Sequence, residues 1–203
     1  MSGKVKASLS FTKEQWLEMS KIALVLIVIA AVVALMLSAV NEITAPRIAA
    51  QKELQVKAAM EAVLPADSYE KIENLADVCP DPVVTEAYRA IKGGECVGYC
   101  VKTAPSGFGG AIEMVVGIEA GESLKVSRAH IVSMAETPGL GTKTREAAFI
   151  DQFAGKTSGV SVGSGENQVS AVAGATVSSK AVTSGVDAAL RCGELVKGAG
   201  NNG

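Results

Sequence analysis

Hydrophobic and polar positions are distributed very unevenly along this chain. Residues 22–40 read IALVLIVIAAVVALMLSAV, an uncharged run with a single hydroxyl, Ser38. As a helix this run spans roughly 28 Å, close to the hydrocarbon thickness of a bilayer. A core helix buried on all sides and a cleaved signal peptide are the alternatives. The first needs a larger domain to wrap it, and the second has a shorter apolar region and a small-residue cleavage site. Thr12-Lys13-Glu14-Gln15 fits a capping box, so the helix is expected to begin near Lys13 with Trp16 as an interfacial anchor. Thr44-Ala45-Pro46 then reads as a second helix start, and Ile48, Leu54, Met60 and Val63 run among good helix formers until Pro65.

Beyond Pro65 the apolar runs shorten and turn residues separate them. Strands are expected over 83–91, 95–103, 111–119 and 124–133, with Gly93-Gly94 and residues 120–123 at hairpin turns. A helix is expected over 145–153, a Gly/Ser-rich loop over 155–166, and a last helix over 177–195 with Val182, Val186, Ala189 and Leu190 on one face. The fold class is α+β: a single N-terminal transmembrane helix, then a largely antiparallel sheet domain with flanking helices. The expected divisions are a cytoplasmic N-terminus over 1–21, the transmembrane helix over 22–40, a juxtamembrane helix over 41–66, an extracytoplasmic domain over 67–197 and a disordered tail over 198–203. Lys4, Lys6, Lys13 and Lys21 precede the span while Arg47, Lys52 and Lys57 follow it, a small bias toward a cytoplasmic N-terminus.

Composition narrows the function. The 203 residues hold 19 Lys+Arg against 21 Asp+Glu, so no basic field exists to neutralise a run of nucleic-acid phosphates. Cys79, Cys96, Cys100 and Cys192 form no C-x-x-C pair and share one histidine, which gives a zinc or iron–sulfur site no support. The four cysteines read as small buried apolar residues, and Cys96 and Cys100 on one strand lie roughly 13 Å apart, too far for a disulfide. His130 reads as a packed or surface histidine, and neither a Ser-His-Asp arrangement nor a paired-carboxylate site can be assembled.

Candidate chemistry lies in three glycine-containing loops: S-G-F-G-G at 106–110, E-T-P-G-L-G-T-K at 136–143 and A-G-A-T-V-S-S at 173–179. Glycine lets backbone approach a ligand closely, and Phe108 offers an aromatic face. Thr176 is expected at the N-cap of the last helix, where unpaired amides and the helix dipole favour an anion. It is equally readable as a capping residue alone. Lys143, Arg145 and Lys180 are nearby charges that suit a phosphate or a solvated surface.

The order of anchor helix, S-G-F-G-G, E-T-P-G-L-G-T-K and G-A-T-V-S-S resembles the FMN-binding domain family, and within it the G subunits of Rnf electron-transport complexes. The similarity runs from the membrane helix to the last helix. It implies that a flavin transferase attaches FMN through its phosphate to Thr176 as a phosphoester. It also implies that Glu136, Thr137, Gly139, Leu140, Gly141 and Lys143 pack near the flavin, together with Phe108, Gly109, Gly174, Ala175, Val177 and Ser178. Ser170 and Ala173 depart from the family's D-x-x-S/T-G-A-T pattern, standing in its aspartate and hydroxyl positions. The implied role is a covalent-FMN electron carrier, a redox subunit with no catalytic residues of its own. It would work within a membrane complex that couples ferredoxin:NAD electron transfer to Na+ or H+ translocation. Its partners would be the other Rnf subunits, the transferase during maturation and the membrane, with no nucleic acid. The alternatives are the C subunit of the Na+-translocating NADH:quinone reductase, a membrane-anchored scaffold or binding subunit, and a free-standing flavin reductase, which would need a nicotinamide site that no G-x-G-x-x-G supplies.

Overall fold

The computed structural model describes residues 13–200; Thr12 of the expected capping box lies outside the described residues. The chain divides into two compact units after Lys52. The first is helical. Helix α1 spans Lys13–Val63 without interruption and carries Pro46 in its interior. The expected helix start at Thr44–Pro46 is therefore corrected: the membrane and juxtamembrane segments are one helix. Proline's fixed φ suits an interior helical residue as well as a first one, so its presence marks a tolerated φ rather than a boundary. Its absent amide leaves the Glu42 carbonyl without the usual donor one turn on. From Trp16 to Ile48 every large hydrophobic side chain of α1 is exposed, as a helix surrounded by lipid requires. It is the one helix among the described residues with the length and composition to cross a membrane.

The second unit is an antiparallel meander with helices on both faces. Strands β1 (Ser68–Lys71), β2 (Val84–Lys92), β3 (Glu95–Thr103), β4 (Glu113–Glu119) and β5 (Lys125–Ser133) lie side by side in chain order. Between β1 and β2 is the short helix α2 (Leu75–Val78). Gly93 and Gly94 both have positive φ, 61° and 85°, and connect β2 to β3 in the two-residue hairpin their dipeptide predicts. Strands β2 to β5 are thus found within about two residues of their expected ends. The polar edge strand β1 has no apolar alternation and is not among the expected strands.

Strand β4 shows why its apolar run is nearly continuous. Met114, Val116 and Ile118 turn to one face and join a core with Val182, Val186, Ala189 and Leu190 of helix α4 (Thr176–Gly200). Val115 turns to the other and packs with Val56, Ala59, Met60 and Val63 from the last turns of α1. A strand covered on both faces has no solvent side on which to place polar residues. On that second face, a Cβ on Gly117 would meet the Val63 carbonyl oxygen at 2.6 Å and its carbon at 2.8 Å. Gly117→Ala is therefore expected to push the helix end off the sheet and to destabilise the unit by about 2–3 kcal/mol in urea unfolding, where a cavity-neutral surface substitution changes little.

The helix expected over 145–153 is broken. A 3-10 turn occupies Gly141–Arg145, α3 covers Ala147–Ile150, and a second 3-10 turn covers Asp151–Phe153. Glu146 adopts an extended conformation, φ −68° and ψ 147°, which interrupts the helix; Phe149 and Phe153 still meet edge-to-face with centroids 5.4 Å apart. The Gly/Ser-rich loop contains β6 (Ser161–Val162), which pairs in parallel with β7 (Gln168–Val169). Helix α4 continues to Gly200, past the start of the expected tail, and 201–203 lie outside the described residues. Cys79, Cys100 and Cys192 are buried as expected, and burial pushes the Cys100 thiol up to about 12. Cys96 is exposed, a correction: the first two residues of β3 are both exposed, and burial begins only further along the strand.

Candidate functional site

The three glycine loops converge. The first joins β3 to β4, the second leaves β5, and the third enters α4; a buried carboxylate, Glu136, ties them together. Its Oε1 accepts hydrogen bonds from the amides of Phe108 at 2.8 Å and Gly109 at 3.2 Å. Its Oε2 accepts one from the Ser178 hydroxyl at 2.7 Å. Glu136 is 6% exposed and Ser178 2%, so a carboxylate that burial would otherwise penalise is held by three donors from two other loops. The closeness explains the glycines. A Cβ on Gly107 or Gly141 would overlap the Glu136 carboxylate, and one on Gly109 would overlap the Ala135 carbonyl.

Between the loops is a cavity of about 350 Å³, lined by Phe108, Glu136, Thr137, Leu140, Gly141 and the stretch from Gly174 to Ser178. That volume lies at the small end of ligand pockets. Its rim is unusually apolar. After Val63, the large hydrophobic side chains exposed among the described residues are Phe108, Leu140, Val177 and Leu195, and the first three edge this one opening. Exposed apolar surface gathered around a concave site is what an aromatic ligand covers.

The α4 start supplies the polar end. Ser179 N–H donates to Ala175 O at 2.9 Å, the first bond of the helix, so Ala175 is the N-cap and Thr176 the first helical residue. The expected N-cap position for Thr176 is corrected by one residue: Gly174, at φ 77°, and the Ala175 N–H to Val172 O bond of 3.0 Å turn the chain before Thr176. Thr176 is exposed, and its hydroxyl has no hydrogen-bond partner among the described residues. The amides of Thr176, Val177 and Ser178 precede the first intrahelical bond and are available to an anion. Ser179 secures the turn from behind, donating from its hydroxyl to Ala175 O at 2.9 Å and accepting from Val172 N–H at 3.0 Å.

Other sequence candidates fall outside the cavity. Gly109 contributes its amide to Glu136 rather than a wall; Gly139, at φ 77°, turns the second loop and donates from its amide to Thr142 Oγ1 at 2.9 Å. Lys143, Arg145 and Lys180 are exposed, and none lines the opening. His130 is on β5 beside a different cavity of about 430 Å³ that Arg145 also lines. What burial it has lowers its imidazole pKa first, and the charges of Arg145 and Arg128 lower it further. Gly107 and Ser179 are not legible as site residues in the sequence, since a glycine in a glycine-rich loop and a serine in a helix carry no mark of the contact they make.

A membrane helix joined to a sheet domain whose loops build an apolar slot beside a helix N-terminus defines a membrane-anchored binder of an aromatic, anionic cofactor. Residues 107–191 match the FMN-binding domain, and residues 13–63 match the RnfG N-terminal region. The chain is 35% identical over 201 residues to the G subunit of the Na(+)-translocating ferredoxin:NAD(+) oxidoreductase complex of Acetobacterium woodii, covering 89% of this chain and 96% of that protein. It is 36% identical over 162 residues to the G subunit of the proton-translocating ferredoxin:NAD(+) oxidoreductase complex of Clostridium ljungdahlii, covering 77% and 81%. Among solved structures, the C subunit of the Na(+)-translocating NADH-quinone reductase from Parabacteroides distasonis aligns with a TM-score of 0.45 and 21% identity over 54% of this chain and 60% of that one. The chain belongs to the family of G subunits of Rnf ion-translocating oxidoreductase complexes, and it is a membrane protein.

Proposed function

We propose that this chain is an FMN electron-carrier subunit of a membrane-bound Rnf complex, with FMN joined through its phosphate to the hydroxyl of Thr176. The observation that carries the reading is the placement of an exposed threonine hydroxyl at the α4 start, on the edge of a slot rimmed by Phe108, Leu140 and Val177. These residues fit the group: unpaired amides of 176–178 suit a phosphate, and the exposed apolar rim suits a flat ring system. When bound, FMN supplies reversible uptake and release of electrons. The protein's part is to hold and surround it. Thr176 fixes the phosphate end, the Phe108, Leu140 and Val177 side chains exclude water, and Glu136 keeps the three loops in register.

In this reading the complex couples ferredoxin:NAD+ electron transfer to movement of Na+ or H+, and the other Rnf subunits donate to and accept from the flavin. A flavin transferase attaches the cofactor during maturation. The N-terminus is cytoplasmic and the sheet unit extracytoplasmic, in line with the lysine bias before the span. The quinone-reductase alternative is set aside because the relatives that cover most of this chain are named as G subunits. Protein purified in detergent after expression with an active transferase is expected to be yellow, to bleach with dithionite and regain its colour in air, and not to oxidise NADH by itself. A colourless product would return the chain to a scaffold role, and NADH oxidation would make it a reductase.

A further inference from the structure

Helix α4 meets the segment after α2 at a pair of sulfur atoms that the flavin site does not use. Cys79 and Cys192 are both buried, at 4% and 0% exposure, and both are free thiols in this structure. Both side chains belong to the same hydrophobic core, and the Cys79 thiol is near enough to Cys192 to push its thiol up beyond what burial does. The segment that carries Cys79 is held in place. Its amide closes α2 by donating to Leu75 O at 2.7 Å, Pro80 and Pro82 restrict the residues that follow, and the Val83 amide donates to Asp81 Oδ1 at 3.0 Å. Arg191, the neighbour of Cys192, ties the same segment to α4 through Asp81 Oδ2 at 3.1 Å and is braced by Asp187 at 3.5 Å. Among the described residues, no group of three or more His, Cys, Asp or Glu gathers around the pair.

We propose that Cys79 and Cys192 are a disulfide-forming pair that closes the sheet unit onto its last helix. The step is an exchange with an external disulfide, either glutathione disulfide or the active-site disulfide of a dithiol oxidoreductase. One cysteine thiolate attacks that disulfide and expels a thiolate, the second cysteine attacks the mixed disulfide, and a Cys79–Cys192 bond forms. The two cysteines lose two electrons and two protons, and the oxidant leaves as two thiols. Burial and the neighbouring thiol hold the Cys192 thiol well above the usual thiol range. Exchange is therefore slow in the folded unit, and the bond forms while α4 is still docking. It closes a loop on the order of a hundred residues that contains all of β2 to β5, the case in which a cross-link restricts the unfolded chain most. The proposal takes from the functional reading only the side of the membrane on which an oxidant is met.

The pairing is tested with the full chain synthesised cell-free into nanodiscs in a glutathione disulfide buffer. The denatured product is alkylated, reduced, alkylated with a second reagent and mapped by mass spectrometry. A peptide containing Cys79 linked to one containing Cys192, with Cys100 recovered as a thiol, is expected. The linked protein should lose about 10 °C in thermal midpoint when a dithiol reductant is present during unfolding, and Cys79→Ala/Cys192→Ala protein should be indifferent to it. Recovery of Cys79 and Cys192 as thiols, or linkage of either to another cysteine, overturns the proposal. Sidedness is read separately in intact cells from labelling of the exposed Cys96 by a membrane-impermeant maleimide. Failure of Cys96 to label contradicts the extracytoplasmic placement and leaves the cell-free pairing to decide the disulfide.

Discussion

Thr176→Val protein, produced with an active flavin transferase, is expected to carry no flavin that survives denaturation, while the wild type carries one. Valine keeps the shape of threonine and removes the oxygen atom to which the phosphate would be bonded. The sequence by itself assigns this hydroxyl a capping role, whose loss costs about 1 kcal/mol. The structure moves the cap to Ala175, so Thr176 makes no capping bond and its side chain is exposed. The substitution is therefore expected to change stability by less than about 0.5 kcal/mol, the range for exposed sites without special contacts. A loss of fluorescence in a denaturing gel with an unchanged urea midpoint separates loss of attachment from loss of fold. Retention of covalent flavin by the variant would move the attachment to another hydroxyl.

Glu136→Ala has the largest expected effect on the site's architecture. It leaves the amides of Phe108 and Gly109 and the hydroxyl of Ser178 without their acceptor, and it opens a hole beside Gly107 and Gly141. At about 1–3 kcal/mol for each buried group left unpaired, and with partial relaxation, the expected cost is about 4 kcal/mol. Glu136→Gln is expected to cost much less. Its amide oxygen can still accept from the two backbone amides, and its NH2 can donate to the Ser178 oxygen, a hydroxyl being able to accept as well as donate. Urea unfolding of the two variants therefore distinguishes a bonding role for the side chain from a purely electrostatic one. Equal destabilisation by Gln and Ala would mean that charge, rather than the bonding pattern, holds the loops together.

The parts of the fold legible in the sequence are those whose cause is local. Gly93 and Gly94 supply the two positive φ values a tight hairpin needs, and β4 is a nearly continuous apolar run because both faces of the sheet are covered there. Strand β1, reading Ser-Tyr-Glu-Lys, is an exposed edge and shows no period to detect. Pro46 suggests a boundary because a proline at a helix start and one inside a helix have the same backbone φ. Glu136 is legible as part of a loop, but its partners lie 28, 27 and 42 residues away, and nothing local announces a carboxylate as the fastening of three segments. That Cys79 and Cys192 share one core is hidden for the same reason. Thr176 is marked by its motif, and its one-residue displacement from the cap is beyond what spacing resolves.

Covalent attachment at Thr176 is tested most directly by a peptide map of the full chain, expressed with an active flavin transferase and denatured before digestion. The peptide that contains Thr176 is expected to be heavier by FMN less one water, with fragment ions placing the addition on Thr176 itself. An unmodified peptide, from cells in which the same transferase has flavinylated another substrate, would contradict a covalent electron carrier and reduce the three loops to turns.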